Sequence, residues 1–220
     1  MPCYDIFTAY DVIIFDCDGV ILDSNTMKIA AMRVALKDSE FPNELITSAI
    51  DAFKNNFGKS RYFHSQYFVE TLWGLSKEKS TQQQQLILQH YNDAVEQEYL
   101  QVAMTDGVQN ILDSLSDKIL YIASGSEEKQ LVRIFKQRDL AHYFSAILGS
   151  PITKSDNVKH IIKQHKNKKV LFIGDAIADH QAAIDNGIDF LFYAPYSNVK
   201  EKMLARAQTY HFPVMHSFVD

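Results

Sequence analysis

Asp16 and Asp18 flank Cys17 at the end of a short apolar run, Val12–Phe15 (VIIF). Far along the chain, Asp175 follows a second such run, Val170–Ile173 (VLFI), and Gly174, with Asp179 four residues later. If both runs are neighbouring strands, Asp16, Asp18 and Asp175 converge on one cavity. Like charges about 4 Å apart cost on the order of 4 kcal/mol per pair at an effective dielectric near 20, too much to leave uncompensated. A hard divalent cation is the natural remedy, and oxygen ligands with no imidazole pair nearby favour magnesium over zinc or calcium. An EF-hand is excluded because Val20 stands where the third oxygen ligand should be. The histidines have no metal-ligand spacing, and His160 and His180 read as helix-face residues. Ser124 and Gly125 follow the run Lys118–Ala123 (KILYIA), and Lys154 lies in GSPITKSD after Ala146–Leu148 (AIL). Each residue also has a structural reading. Asp175 could be a turn residue or helix N-cap, Asp179 could answer a helix dipole, and Lys154 is one of several lysines with Lys159, Lys163, Lys166, Lys168 and Lys169.

The elements that must place these groups alternate. Apolar runs at Val12–Phe15, Lys118–Ala123, Ala146–Leu148, Val170–Ile173 and Asp189–Tyr193 each read as a buried strand. Helical periodicity separates the later ones, at Val108–Leu115, Glu127–Lys136, Asn157–His165 and Ala176–Asn186, the last closed by Gly187. Such alternation predicts right-handed βαβ units, a Rossmann-like doubly wound parallel sheet, and ligands at the carboxyl ends of the strands. Every polar cluster named above sits at such an end. Between the first and second strands the pattern is helical only, at Met27–Leu36, Glu44–Phe53, Tyr62–Trp73 and Gln82–Tyr99, which predicts an α/β core of residues 1–22 and 104–220 with an all-helical insert over 23–103. The glutamine run at 82–85 leads straight into Leu86, Ile87 and Leu88 and reads as the solvent side of a helix.

The 220 residues are 46% hydrophobic and 22% charged with a formal charge of -5, the profile of an ordinary globular protein with a core large enough to need no staples. A mildly acidic chain has no global attraction for nucleic acid or anionic lipid, so phosphate chemistry must come from a local site. No apolar stretch approaches bilayer length and Met1–Tyr10 lacks the pattern of a signal sequence. Cys3 and Cys17 form neither a disulfide framework nor a zinc group, so a reducing, cytoplasmic setting is expected, with no nucleic-acid or membrane partner and a monomer or weak homodimer.

The segment Asp16-Cys17-Asp18-Gly19-Val20 after VIIF resembles the first motif of the haloacid dehalogenase superfamily. Ser124 in KILYIASG is similar to its second motif, Lys154 to its third, and Gly174-Asp175-Ala176-Ile177-Ala178-Asp179 to its fourth, over about Asp11–Ala194. The Lys-Pro often seen in the third motif is Lys154-Ser155 here. A helical cap after the first motif resembles the phosphoglycolate phosphatase and β-phosphoglucomutase branch. The resemblance implies a magnesium-dependent phosphatase in which Asp16 is the nucleophile that forms an aspartyl-phosphate and Asp18 the general acid and base. It further implies that Asp16, Asp175 and the Asp18 backbone carbonyl bind Mg2+, with Asp179 supporting the site directly or through water. Ser124, Gly125 and Lys154 would hold the phosphoryl oxygens. In the insert, Gly58-Lys59-Ser60-Arg61 resembles a segment carrying a substrate-contacting arginine. The other reading of Arg61 is an exposed residue early in a helix capped by Ser60.

An acid at position 18 argues against dehalogenation, since a departing halide needs no proton. A phosphomutase is the alternative enzyme, because the same phosphoenzyme can return its phosphoryl to a sugar if water is kept out. A phospho-accepting signalling receiver also clusters acids, a hydroxyl and a lysine at strand ends, but has no place for so long a helical insert. A catalytically dead scaffold is disfavoured because all four motif positions keep competent side chains. The natural substrate stays open among sugar phosphates, glycolate-type phosphates and nucleotides.

Overall fold

The structure, a computed structural model, describes residues 3–96 and 98–219. Residues 1, 2 and 220 of the expected core and Gln97 of the expected insert lie outside the described residues. Six strands, β1 (Val12–Phe15), β2 (Ile119–Glu127), β3 (Ala146–Ser150), β4 (Val170–Gly174), β5 (Asp189–Tyr193) and β6 (Val214–Met215), form one parallel sheet in the order β3-β2-β1-β4-β5-β6. β1 is central and buried on both faces, which is why it reads VIIF without alternation. Successive side chains still point to opposite sides. Ile13 and Phe15 join one apolar cluster with Ile122 and Ile173, and Val12 and Ile14 join another with Tyr121 and Phe172.

Register brings the chemistry together. Phe15 pairs with Ile122 of β2 and with Ile173 of β4, so Asp16, Ala123 and Gly174 stand at one level, with Ser124 and Asp175 one residue further. β2 is longer than its apolar run. It continues through Ser124, Gly125 and Ser126 to Glu127, with a register shift against β3 between Ala123 and Glu127. That irregularity takes the polar loop out of the ladder and over the end of the sheet.

Between β1 and β2 the chain is helical, with α1 (Asn25–Asp38), α2 (Asn43–Asn55), α3 (Arg61–Gln66), a π-helical turn (Tyr67–Leu72), α4 (Lys77–Glu96), α5 (Glu98–Gln101) and α6 (Val108–Ser114). The buried residues of α2, Ile46, Ala49, Ile50 and Phe53, recur at helical spacing and face a core of their own with Met32, Leu36, Phe68, Ile87 and Val95. The expected single helix Tyr62–Trp73 is in fact α3 running into the π-helical turn. α7 (Glu128–Gln137), α8 (Lys154–Gln164), α9 (Ile177–Asn186) and α10 (Lys200–Tyr210) follow along the rest of the chain, with short 3-10 helices at Cys3–Ala9 and Ala141–Tyr143. α8 starts three residues earlier than its periodicity suggests, because the Thr153 side chain caps it by accepting from the Asp156 N–H. α10 and β6 lie past the last apolar run recognised in the sequence. Among the described residues no helix is long and apolar enough to cross a membrane.

Candidate active site

One oxygen from each of Asp16, Asp175 and Asp179 lies within 4.8 Å of the others, and all three residues are buried. Asp16 Oδ1 accepts from the Cys17 N–H at 2.7 Å and lies 3.1 Å from Lys154 Nζ. Asp179 Oδ2 accepts from the Ala176 N–H at 2.9 Å, and its other oxygen receives the Lys154 ammonium. Asp179 therefore closes the first turn of α9 and also anchors Lys154. Asp175 Oδ2 accepts from Asn25 Nδ2 at 2.8 Å, reaching across from the first residue of α1, while Oδ1 is buried without a partner.

Burial pushes the Asp16 carboxyl up to about 7, with the Asp179 charge adding to it and Lys154 opposing. Asp175 is driven well above the carboxylate range by burial and then by Asp16 and Asp179. Burial alone would lower Lys154, yet Asp16 and Asp179 carry it above the ordinary lysine value. One ammonium does not compensate three buried acids, and the orphaned Asp175 Oδ1 points to what is missing. The residues fit a hard divalent cation, with Asp16 and Asp175 as carboxylate ligands and Asp179 beside them.

The Asp18 carboxylate does not join this cluster. It turns the other way, and four donors from three segments, the start of α1, α5 and the end of β2, surround it. Oδ1 accepts from Ser24 Oγ at 2.5 Å and Tyr99 OH at 2.6 Å, and Oδ2 accepts from Lys28 Nζ at 2.5 Å and Ser126 Oγ at 2.9 Å. Burial pushes Asp18 up, but the Lys28 charge and these donors outweigh it and hold the acid below its usual value. Two acids separated by one residue thus occupy opposite electrostatic environments: without a cation Asp16 is held toward its protonated form and Asp18 is held ionised. In a continuing strand residues two apart would share a face; here the strand has ended at Phe15 and the backbone bends at Cys17, which sends the two carboxylates apart.

Ser124 is fully buried at the same sheet edge, and its Oγ accepts from the Ser126 N–H at 3.1 Å. Gly125 must be glycine, because a β-carbon there would run into the carbonyl oxygens of Gly58 and Lys59. Through that contact the Gly58–Arg61 segment rests on the polar loop. Ser60 caps α3 by accepting from the Phe63 N–H at 3.2 Å, as its spacing suggests, but Arg61 is not exposed: its side chain is 3% accessible. The guanidinium donates to Gln130 Oε1 at 2.6 Å and to Asn92 Oδ1, lies over the Tyr91 ring, and has a carboxylate, Glu127, only at 4.0 Å. A cavity of about 30 Å³ lies between Asp18 and Ser126 on one side and Lys28, Arg61, His64 and Tyr91 on the other. A second cavity of about 260 Å³, with Phe63, Pro151 and Ile152 in its wall, opens on the far side of Gly58 and Gly125 and reaches Lys154.

None of the motifs singles out Lys28, Tyr99, Ser126, Ser24 or Asn25. One signal was available. In α1 the buried positions are Asn25, Lys28, Ala31, Met32, Ala35 and Leu36, so a lysine heads an otherwise apolar stripe from its second turn onward. The others depend on approaches across up to 150 residues of sequence and left no local pattern. His180 is buried in an aromatic setting of Phe190, Tyr210 and Phe212 with its Nδ1 accepting from Arg206, which suits a packed helix residue.

Among curated proteins none matches the chain. Solved structures share its fold. A hydrolase from Pseudomonas syringae superposes with a TM-score of 0.75 at 21% identity, covering 96% of this chain and 95% of that one. A predicted phosphatase from Clostridium acetobutylicum gives 0.72 at 22% identity over 94% of each chain. YfnB from Bacillus subtilis in a magnesium-bound form gives 0.58 at 17% identity over 84% and 89%. The family profile of haloacid dehalogenase-like hydrolases matches residues 13–193, which spans β1 to β5 and all four motif positions. With Asp16, Ser124, Lys154 and Asp175 meeting at one sheet edge, the chain belongs to the haloacid dehalogenase-like hydrolase family.

Proposed function

We propose that this enzyme is a magnesium-dependent phosphatase that hydrolyses a small phosphorylated metabolite through an aspartyl-phosphate on Asp16. The observation that carries the reading is the contrast at the end of β1. The Asp16 carboxylate lies 3.1 Å from Lys154 and in one cluster with Asp175 and Asp179, while the Asp18 carboxylate two residues on faces a separate cavity. In the first half-reaction an Asp16 oxygen bonds to phosphorus, the bond to the leaving oxygen breaks, and Asp18, which its donors hold ionised in the free enzyme and which must take up a proton as substrate binds, passes that proton to the leaving oxygen. In the second, water attacks phosphorus, Asp18 takes its proton, and Asp16 is released with inorganic phosphate. Lys154 and the Ser124 hydroxyl hold phosphoryl oxygens, and the helical insert serves as a cap that excludes bulk water. Mg2+ held by Asp16, Asp175 and the Asp18 carbonyl would neutralise charge on the transferring phosphoryl group.

Phosphate release from a panel of phosphorylated metabolites should therefore be lost in EDTA and restored by Mg2+, with Ca2+ supporting little turnover because its larger, looser shell spoils in-line geometry. Because burial lifts Asp16 to about 7 and Asp175 above the carboxylate range, Mg2+ must displace protons, and its affinity should weaken as pH falls through 7. Calorimetry in buffers of different ionisation enthalpy reads the released protons directly. Equal activity in EDTA would overturn the proposal. The seat of Gly58 and Lys59 over Gly125, which would shelter a phosphoenzyme from water, is the one feature that favours a phosphomutase instead. Reading isomerised sugar phosphate beside free phosphate separates the two.

A buried guanidinium whose nearest carboxylate is 4.0 Å away is poorly compensated, so Arg61 suits a second anionic group on the substrate. Arg61→Ala should lower kcat/KM for the natural substrate by roughly 2 kcal/mol or more, about 30-fold, and barely change it for a small ester without that group. Equal losses on both would return Arg61 to a structural role.

A further inference from the structure

We propose that Lys28 is a catalytic residue whose ammonium contacts the leaving oxygen and stabilises the charge that develops there as its bond to phosphorus breaks. The inference rests on the phosphatase reading above and adds a cation on the side of the phosphoryl group opposite the metal and Lys154. Four observations carry it. Lys28 is 5% exposed and comes from the first turn of the insert, yet its Nζ lies 2.5 Å from Asp18 Oδ2 and also donates to Ser126 Oγ, both in the core. Those two partners use two of its three N–H donors. It lines the same small cavity as Asp18, so any oxygen close enough to Asp18 to receive its proton is within reach of Lys28. That cavity holds an independent sign of a polar occupant: His64, 2% exposed and on the cavity wall, has an Nδ1 with no partner. Finally, Lys28 heads a stripe that continues as Ala31, Met32, Ala35 and Leu36, where an apolar residue would pack at no electrostatic cost.

The proton inventory is unchanged by this role. The electron pair of the breaking bond goes to the leaving oxygen, Asp18 supplies the proton, and Lys28 keeps its own three, lending a charge-assisted hydrogen bond only. Its contribution must therefore grow with the charge on the leaving oxygen. Alkyl phosphates, whose alkoxide needs help, depend on it strongly, and p-nitrophenyl phosphate, whose phenolate does not, depends on it weakly. Because Lys28 arrives on the insert, chemistry on difficult substrates is tied to a docked cap.

The test compares kcat for glycerol phosphate and for p-nitrophenyl phosphate in the full-length enzyme with Mg2+. Wild-type phosphate release is measured first, and its absence would overturn the phosphatase reading and this proposal together. Given release, Lys28→Met is expected to lose at least about 10²-fold on the alkyl ester and under about 5-fold on the aryl ester, with Lys28→Arg recovering part of the alkyl activity. Should Lys28→Met fail to fold because Asp18 is left as an unpaired buried charge, the Asp18→Asn/Lys28→Met double variant removes both charges together. Measured against Asp18→Asn alone, it should still lose at least about 10-fold on the alkyl ester. Equal losses on the two esters, no loss on either, or no further loss in the Asp18→Asn background would overturn the role of Lys28 and leave the phosphatase reading standing.

Discussion

Asp16→Asn should fold normally and release phosphate at least about 10²-fold more slowly than the wild type, with no acid-stable label on the protein after brief exposure to a phosphorus-labelled substrate. Asparagine keeps the shape and the acceptor for the Cys17 N–H, but its neutral amide oxygen is too weak a nucleophile to attack phosphorus and form an acyl phosphate. The expected stability change has the opposite sign to that of most site mutations. Asp16 titrates at about 7 because burial and the Asp179 charge oppose its ionisation, so at pH 8 without metal the wild type holds a buried charge that the neutral amide of the variant does not. Removing it should leave the melting temperature unchanged or raised in EDTA and should lower it relative to wild type in Mg2+, where the ligand is lost. Near-normal turnover would exclude Asp16 as the nucleophile. A melting temperature that falls sharply in EDTA would mean the carboxylate is needed by Lys154 more than it is opposed by Asp179.

Lys154→Met should be equally damaging to turnover, again by at least about 10²-fold, but with a large loss of stability. Lys154 is 8% exposed and is the ammonium that touches both Asp16 and Asp179. Breaking a buried ion pair by deleting one partner typically costs about 3–5 kcal/mol, and partial protonation of Asp16 near neutral pH softens that, so a loss of about 3 kcal/mol in EDTA is expected. Mg2+ should restore much of it, since a divalent ion bound by Asp16 and Asp175 replaces the missing charge. Thermal denaturation of wild type and Lys154→Met with and without Mg2+ reads both effects in one experiment. A variant that is inactive yet as stable as wild type in EDTA would show that the acids are balanced by something other than Lys154, and would weaken the electrostatic account of the metal site.

The divergence of Asp16 and Asp18 bears on selectivity. Asp16, the proposed nucleophile, belongs to a cluster that calls for a cation. Its neighbour sits under a cavity walled by Lys28, Arg61, His64 and Tyr91 from the insert. On the proposed mechanism, core residues present the phosphoryl group and insert residues meet whatever it is attached to. Substitutions in the first set should lower kcat on every ester, and those in the second should sort substrates.

Local pattern was enough for the parallel sheet, because a strand buried on both faces must be apolar throughout, as VIIF and VLFI are. It was also enough for the all-helical insert, since the 3.6-residue period of Ile46, Ala49, Ile50 and Phe53 is itself the signature of a face turned to a core. Asp16, Ser124 and Asp175 were legible for a related reason, since polar residues at the close of apolar runs have one place to go, the end of the sheet; Lys154, beyond the loop after β3, was legible only through the motif resemblance. The tertiary structure alone decided the rest. Asp179 spends its oxygens on the Ala176 N–H and on Lys154, a division that its place after Asp175 does not reveal. Arg61 is buried instead of exposed because Tyr91, Asn92 and Gln130, far along the chain, close around it. The four donors on Asp18 come from positions 24, 28, 99 and 126, brought together only when the insert folds back onto the polar end of β2. Periodicity reports which face of an element is buried. Which charge it meets there is set by the packing of elements distant in sequence, and burial makes that pairing decisive by removing the water that would otherwise screen it.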